Sequence, residues 1–104
     1  MEKANLSYIN DIAGDDEVFK AKLIATIKAE LPEEIAVYRQ DLNHDLALAA
    51  NHVHKLKHKI SVLGMEHSYY LAEKFEDNLK NGSAELAEDF NRILENMQQF
   101  TDSL

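Results

Sequence analysis

Between Phe19 and Leu42 the apolar residues Phe19, Leu23, Ile27, Leu31, Ile35, Tyr38 and Leu42 recur at steps of three and four almost without interruption. Steps of that size return side chains to one face of an α-helix, whereas a half-buried strand needs alternation at every second residue. The same rhythm runs through Leu46, Ala49, Val53, Leu56, Ile60 and Leu63, then Tyr69, Ala72, Phe75 and Leu79, then Leu86, Phe90, Ile93, Met97 and Phe100. No stretch alternates, and three glycines and one proline are too few to punctuate a strand-and-turn fold. The expected class is all-α.

Local signals divide the chain into helices. A short first helix is expected from Leu6 to Ile12, stopping at Gly14. Asp15 and Asp16 offer carboxylates to the open N–H groups of a long second helix, where they also face the positive end of its dipole. Pro32 lies inside that helix and cannot bond the carbonyl of Lys28, so a bend, or a division into two helices, is expected. Asn43, His44 and Asp45 read as a turn, with Asp45 capping a third helix that ends at Gly64. A fourth helix spans Glu66 to Lys80 and stops at Asn81-Gly82, after which Ser83 is expected to cap the last. At 104 residues and 45% hydrophobic composition the chain supports one core and not two. The simplest packing is one domain over residues 1–104, an antiparallel up-down four-helix bundle with a short additional N-terminal helix.

Charge and composition narrow the function. Eleven basic against nineteen acidic side chains give a net charge of −8, which repels nucleic acid and anionic membranes at long range. No segment approaches the roughly 20 apolar residues of a membrane span, so no membrane insertion is expected. The absence of cysteine removes disulfides, thiolate metal sites and thiol nucleophiles together, and suits a reducing compartment. Met1-Glu2-Lys3-Ala4-Asn5 lacks the basic-then-apolar order of a secretion signal. The expectation is a cytoplasmic monomer whose partners are proteins or small ligands.

The run from His54 to Gly64 holds most of the candidate chemistry. Taking Val53 as the zero of a helical wheel at about 100° per residue, Lys57 falls at about 40°, Ser61 at about 80°, His54 at about 100° and His58 at about 140°. These four share one flank, bordering the buried face without lying in its middle. One reading is a solvated helix face on which charges and histidines fall by chance. A second is a metal site, since His54 and His58 stand at the i, i+4 spacing that lets two imidazoles reach one ion. Lys55, Lys57 and Lys59 crowd that pair with cations, and no third ligand is evident. The third reading is phosphorylation of an imidazole nitrogen, with a lysine one turn away balancing the phosphoryl charge.

A resemblance favours the third. His54-Lys55-Leu56-Lys57 followed by Gly64, preceded by Leu48-Ala49-Ala50-Asn51-His52-Val53, is similar to the signature of histidine-containing phosphotransfer (HPt) domains of bacterial multistep phosphorelays. Glu30-Leu31-Pro32-Glu33-Glu34 resembles that family's proline-bearing helix, and the breaks at Asn43 to Asp45, Gly64 and Asn81-Gly82 fall where its bundle turns. The resemblance implies that His54 is the phosphoacceptor and that Lys57 steadies the phosphoryl group. It also implies that Glu76, on the fourth helix, orients the imidazole through its other ring nitrogen; the alternative is an ordinary solvated glutamate. His58 departs from the pattern, standing where the family typically has glycine. It must swing aside, take part in docking or matter chemically itself. His44, His52 and His67 read as surface histidines.

No glycine-rich phosphate loop is present, because Gly14, Gly64 and Gly82 lie far apart at helix stops. The expected role is a phosphoryl carrier without kinase machinery, binding no cofactor, whose partner receiver domain supplies Mg²⁺. The docking face should include Ala47, Ala50, Asn51, His58 and Ser61, with Tyr69 or Tyr70 at its edge. A non-catalytic helical adaptor that binds receivers is the alternative from another class, and the histidine metal site is a further one.

Overall fold

The computed structural model describes residues 2–104, and every regular element among them is helical. The helices are α1 (Ser7–Ala13), α2 (Glu17–Leu42), α3 (Leu46–Val62), α4 (Glu66–Lys80) and α5 (Ala87–Asp102). Short connections bring each helix back against the one before it. Helix α2 packs on α3, α3 on α4 and α4 on α5, and α5 closes the ring on α2, while α1 lies against α2. The described residues thus form a helical bundle, the all-α class expected.

The starts of α2 and α3 follow the carboxylates in the sequence. Asp16 accepts from the backbone N–H of Phe19 at 2.9 Å, and Asp45 accepts from Ala47 and Leu48 at 3.0 and 3.2 Å. Helix α2 runs through Pro32 as a single helix. Pro32 and Lys28 are both exposed, so water can meet the carbonyl that the proline leaves without a donor.

The last helix departs from expectation at its start. Ser83 Oγ accepts from the N–H of Glu85 at 3.2 Å and closes a turn. A further turn, in which Ala87 N–H donates to the carbonyl of Ala84, separates Ser83 from α5, whose N-cap Leu86 offers no side-chain acceptor. Ser83 is therefore a turn residue and not the cap of α5.

The apolar stripes converge on one cluster. Leu31, Ile35 and Tyr38 of α2 meet Val53, Leu56 and Ile60 of α3, Phe75 and Leu79 of α4, and Phe90, Leu94 and Met97 of α5. Tyr38 and Phe75 pack around Phe90, with ring centroids 5.3 and 5.1 Å from it. Phe19 does not join them and is 44% exposed. With 26 residues against 17 in α3, α2 outruns its neighbour by about 13 Å at 1.5 Å per residue, so its first turns lie beyond the core.

The residues before α1 tie the bundle together in a way no spacing rule anticipates. The Glu2 carboxylate accepts from the N–H groups of His67 and Ser68 at 3.0 and 2.8 Å, capping α4 from 65 and 66 residues away. Met65, at the N-cap position of α4, provides no side-chain acceptor. Asn96 of α5 donates to the Glu2 carbonyl at 3.1 Å, and Asn5 N–H donates to the Leu63 carbonyl at 2.8 Å. Gly64 sits beneath Asn5 with φ +75°, where a Cβ would stand 2.5 Å from the amide oxygen of Asn5. Among the described residues no helix is long and apolar enough to cross a membrane.

Candidate functional site

Val53, Leu56 and Ile60 anchor α3 in the core, and that anchoring sets the height and rotation of the residues between them. His54 emerges just past the buried edge, its side chain 56% exposed. Phe75 and Leu79 fix α4 in the same way, and Glu76 between them is held beneath His54 with its side chain only 8% exposed. The two meet across the α3–α4 seam, with His54 Nδ1 3.3 Å from both carboxylate oxygens of Glu76.

Two ammonium groups complete the cluster. Lys57 Nζ lies 2.9 Å from Glu76 Oε1, and Lys80 Nζ lies 3.0 Å from Oε2. The Lys57 side chain is 10% exposed, with its nitrogen 5.5 Å from the centre of the Tyr69 ring. Burial acts to raise the carboxyl pKa of Glu76, but hydrogen bonds and charge from Lys57 and Lys80 outweigh it and bring the value down to about 2. Burial acts to lower the pKa of Lys57, yet Glu76 outweighs that too and holds it above its ordinary value. Near neutral pH both groups are charged.

This charge pattern selects a tautomer. An ionised carboxylate can only accept, so the favoured arrangement puts the proton of neutral His54 on Nδ1 and leaves the lone pair on Nε2, away from Glu76. The nucleophilic nitrogen is then the one not engaged by Glu76, on a half-exposed side chain. Positive charge that develops on the ring during attack lies beside a fixed negative charge.

A family model described as Hpt domain matches residues 22–102. The chain belongs to the Hpt domain family. The match takes in α3 to α5 and all but the first five residues of α2. No curated protein and no solved structure matches the chain. Hpt domains are phosphocarriers of histidine–aspartate phosphorelays and work with receiver domains.

On this Hpt domain His58 is exposed and stands edge to face with His54, ring centroids 5.4 Å apart and planes at 88°. Ala47, Asn51 and Ser61 are exposed on α3. Ala50, expected among the docking residues, is instead core, 1% exposed. At about 60° from Val53 on the wheel it lies inside the buried arc that also receives Lys57. Tyr69 is half-buried over Lys57, and Tyr70 is exposed beside a groove of about 560 Å³ that Ser61, Gly64 and Tyr8 also line.

The basic strip suggested by three lysines around His54 is largely neutralised. Lys57 is turned into Glu76, and Lys59 bonds Glu30 and Glu34 across the α2–α3 seam. His52 is also not the surface histidine expected. It is half-buried, with Nε2 2.6 Å from Asp41 Oδ2 of α2. That partner depends on how α2 and α3 are aligned after the turn, which residue spacing within either helix does not encode. Among the described residues no three His, Cys, Asp or Glu side chains gather as a metal cage.

Proposed function

We propose that His54 takes a phosphoryl group at Nε2 from the phosphoaspartate of one receiver domain and passes it to the aspartate of another. The Nε2 lone pair attacks phosphorus in line with the bond to the aspartate oxygen. The N–P bond forms as the P–O bond breaks, and the carboxylate leaves with the bonding pair. Nδ1 keeps its proton toward Glu76, and the cationic phosphoimidazole that results is balanced by that carboxylate. Onward transfer reverses each step on a second receiver.

The observation that carries this reading is the buried Glu76, held ionised by Lys57 and Lys80, against Nδ1 of a histidine whose side chain is half-exposed. Glu76 orients the ring, and Lys57 holds Glu76 in place while adding positive potential beneath the phosphoryl group. Mg²⁺ comes from the receiver, and this chain contributes a positioned nucleophile and a docking face of Ala47, Asn51, His58 and Ser61. The contact must be transient, because the carrier releases its partner after each transfer.

Incubating the protein with a phosphorylated receiver domain tests the proposal. Acid-labile label should appear on the wild-type chain and vanish in His54→Gln. Label that persists in His54→Gln would place the acceptor elsewhere, and tight receiver binding without transfer would make the chain an adaptor.

A further inference from the structure

We infer that His58, as an imidazolium, contacts the phosphoryl group carried by His54 and stabilises the phosphorylated state. This inference rests on the reading of His54 as the acceptor. It follows from asking which side chains can reach a group attached to Nε2.

On a helix only residues three or four positions away face a given side chain. For His54 these are Ala50, Asn51, Lys57 and His58. Ala50 is buried and has no donor. Asn51 is exposed and offers a neutral amide. Lys57 is the obvious cation, but its ammonium is drawn 2.9 Å from Glu76, beneath the site and almost out of solvent. His58 alone among the four is exposed, can carry positive charge, and already lies against the His54 ring at a centroid distance of 5.4 Å.

The other nearby cations are directed elsewhere. Lys59 reaches Glu30 and Glu34 on the opposite flank of α3, and Lys80 is bound to the second oxygen of Glu76. Lys55, one residue from His54, points about 100° away around the helix. A phosphoryl group on Nε2 brings two negative charges into a place where Glu76 is already negative. A donor from the solvent side therefore has the most to offer. His58 donates an N–H to a phosphoryl oxygen without any bond being made or broken on its own ring, and the exposed face lets its side chain turn to do so.

The equilibrium between phosphorylated receiver and phosphorylated His54 is the decisive measurement. With wild type, His58→Gln, His58→Ala and His58→Arg compared at pH 6.5, loss of the imidazole should shift the equilibrium toward the receiver by about three- to tenfold. His58→Arg should restore most of it, because a permanent cation replaces the imidazolium. Receiver affinity of the unphosphorylated proteins should change less than the equilibrium. A His58→Gln equilibrium equal to wild type would overturn the inference while leaving His54 as the acceptor. Faster transfer in His58→Ala with no shift in equilibrium would also overturn it, by showing that His58 acts only as bulk. No label on wild type from a receiver that phosphorylates another carrier would instead sink the underlying reading.

Discussion

Glu76 joins more of the site than any other side chain, since His54, Lys57 and Lys80 all meet its two oxygens. Replacing it with glutamine keeps the shape and removes the charge that the buried Lys57 needs. Breaking one partner of a buried ion pair commonly costs about 3 kcal/mol or more, so Glu76→Gln should lower the denaturant midpoint by a corresponding amount. The same variant should slow transfer to His54, since the neutral amide no longer fixes the tautomer. Acid provides an independent check. The folded carboxyl titrates at about 2 against 4.5 when unfolded, so its contribution is present in full above pH 4.5 and is lost as pH falls toward 2. That loss, on the order of 3 kcal/mol, should appear in acid unfolding of wild type and be missing from Glu76→Gln. Tyr38 shows the opposite case. Its hydroxyl is buried without a hydrogen-bond partner in the bundle core, and burial holds its pKa far above the usual phenol value. Tyr38→Phe should therefore leave the melting temperature unchanged or raise it, with a gain of up to about 1 kcal/mol. At this scale Lys57, expected only to border the buried face, is instead buried, its wheel angle of about 40° lying closer to the stripe than that of His54. The Glu76 contact came only through family resemblance, since no spacing within α4 separates a buried glutamate from a solvated one.

The helices themselves were plain in the sequence because two independent signals agreed at most boundaries, an apolar stripe and a residue suited to start or stop it. Asp45 is the clearest instance. Its carboxylate satisfies two N–H groups at the start of the helix that carries His54. Asp45→Ala should cost about 1 kcal/mol in chemical denaturation and should fray the first turn of α3, read as faster amide exchange at Ala47 and Leu48. Gly64 closes the same helix under a different constraint. An alanine there meets both a left-handed backbone and the Asn5 amide, so Gly64→Ala should destabilise by about 1–2 kcal/mol. Where only one signal is present, the structure departs from the sequence pattern. Ser83 is a good capping residue in type, but the turn that follows it delays α5 to Ala87, and residue type says nothing about how many residues a turn will take. Ala50 departs for a related reason. Small side chains give a weak hydrophobic signal even when the neighbouring helix covers them completely.

Across the whole molecule, adjacency of the helices followed from short connections, but the fastening at the N-terminus did not. Glu2, Ala4 and Asn5 reach the start of α4, the flank of α5 and the α3–α4 turn, and each contact joins parts of the chain more than fifty residues apart. Such contacts exist only once the bundle has formed, so no local pattern announces them. Their effect is to supply α4 with the acceptor that Met65 lacks. Burial acts to raise the Glu2 carboxyl pKa, while bonds from Ser68 and His67 outweigh it and leave the value below 4.5. The stabilisation is therefore fully present above pH 4.5 and is lost as pH falls below it. A chain lacking residues 2–5 should melt at lower temperature at pH 7, by an amount similar to losing a helix cap, about 1 kcal/mol, plus the packing of Ala4. Glu2→Gln should reproduce the part that depends on charge, and the gap between it and wild type should close on acidification. Amide exchange at His67 and Ser68 should rise in both variants. Exchange at Phe75 and Leu79 should rise only as far as global stability falls, because these residues lie two to three turns further along α4 and are held by the core. Phosphoryl transfer to His54 by the fraction still folded should then be unchanged, since the Glu76 cluster draws on α3 and α4 alone. Slower transfer at full folding would mean that the N-terminal arm sets the register of α4 against α3, and hence the reach of Glu76 to the imidazole.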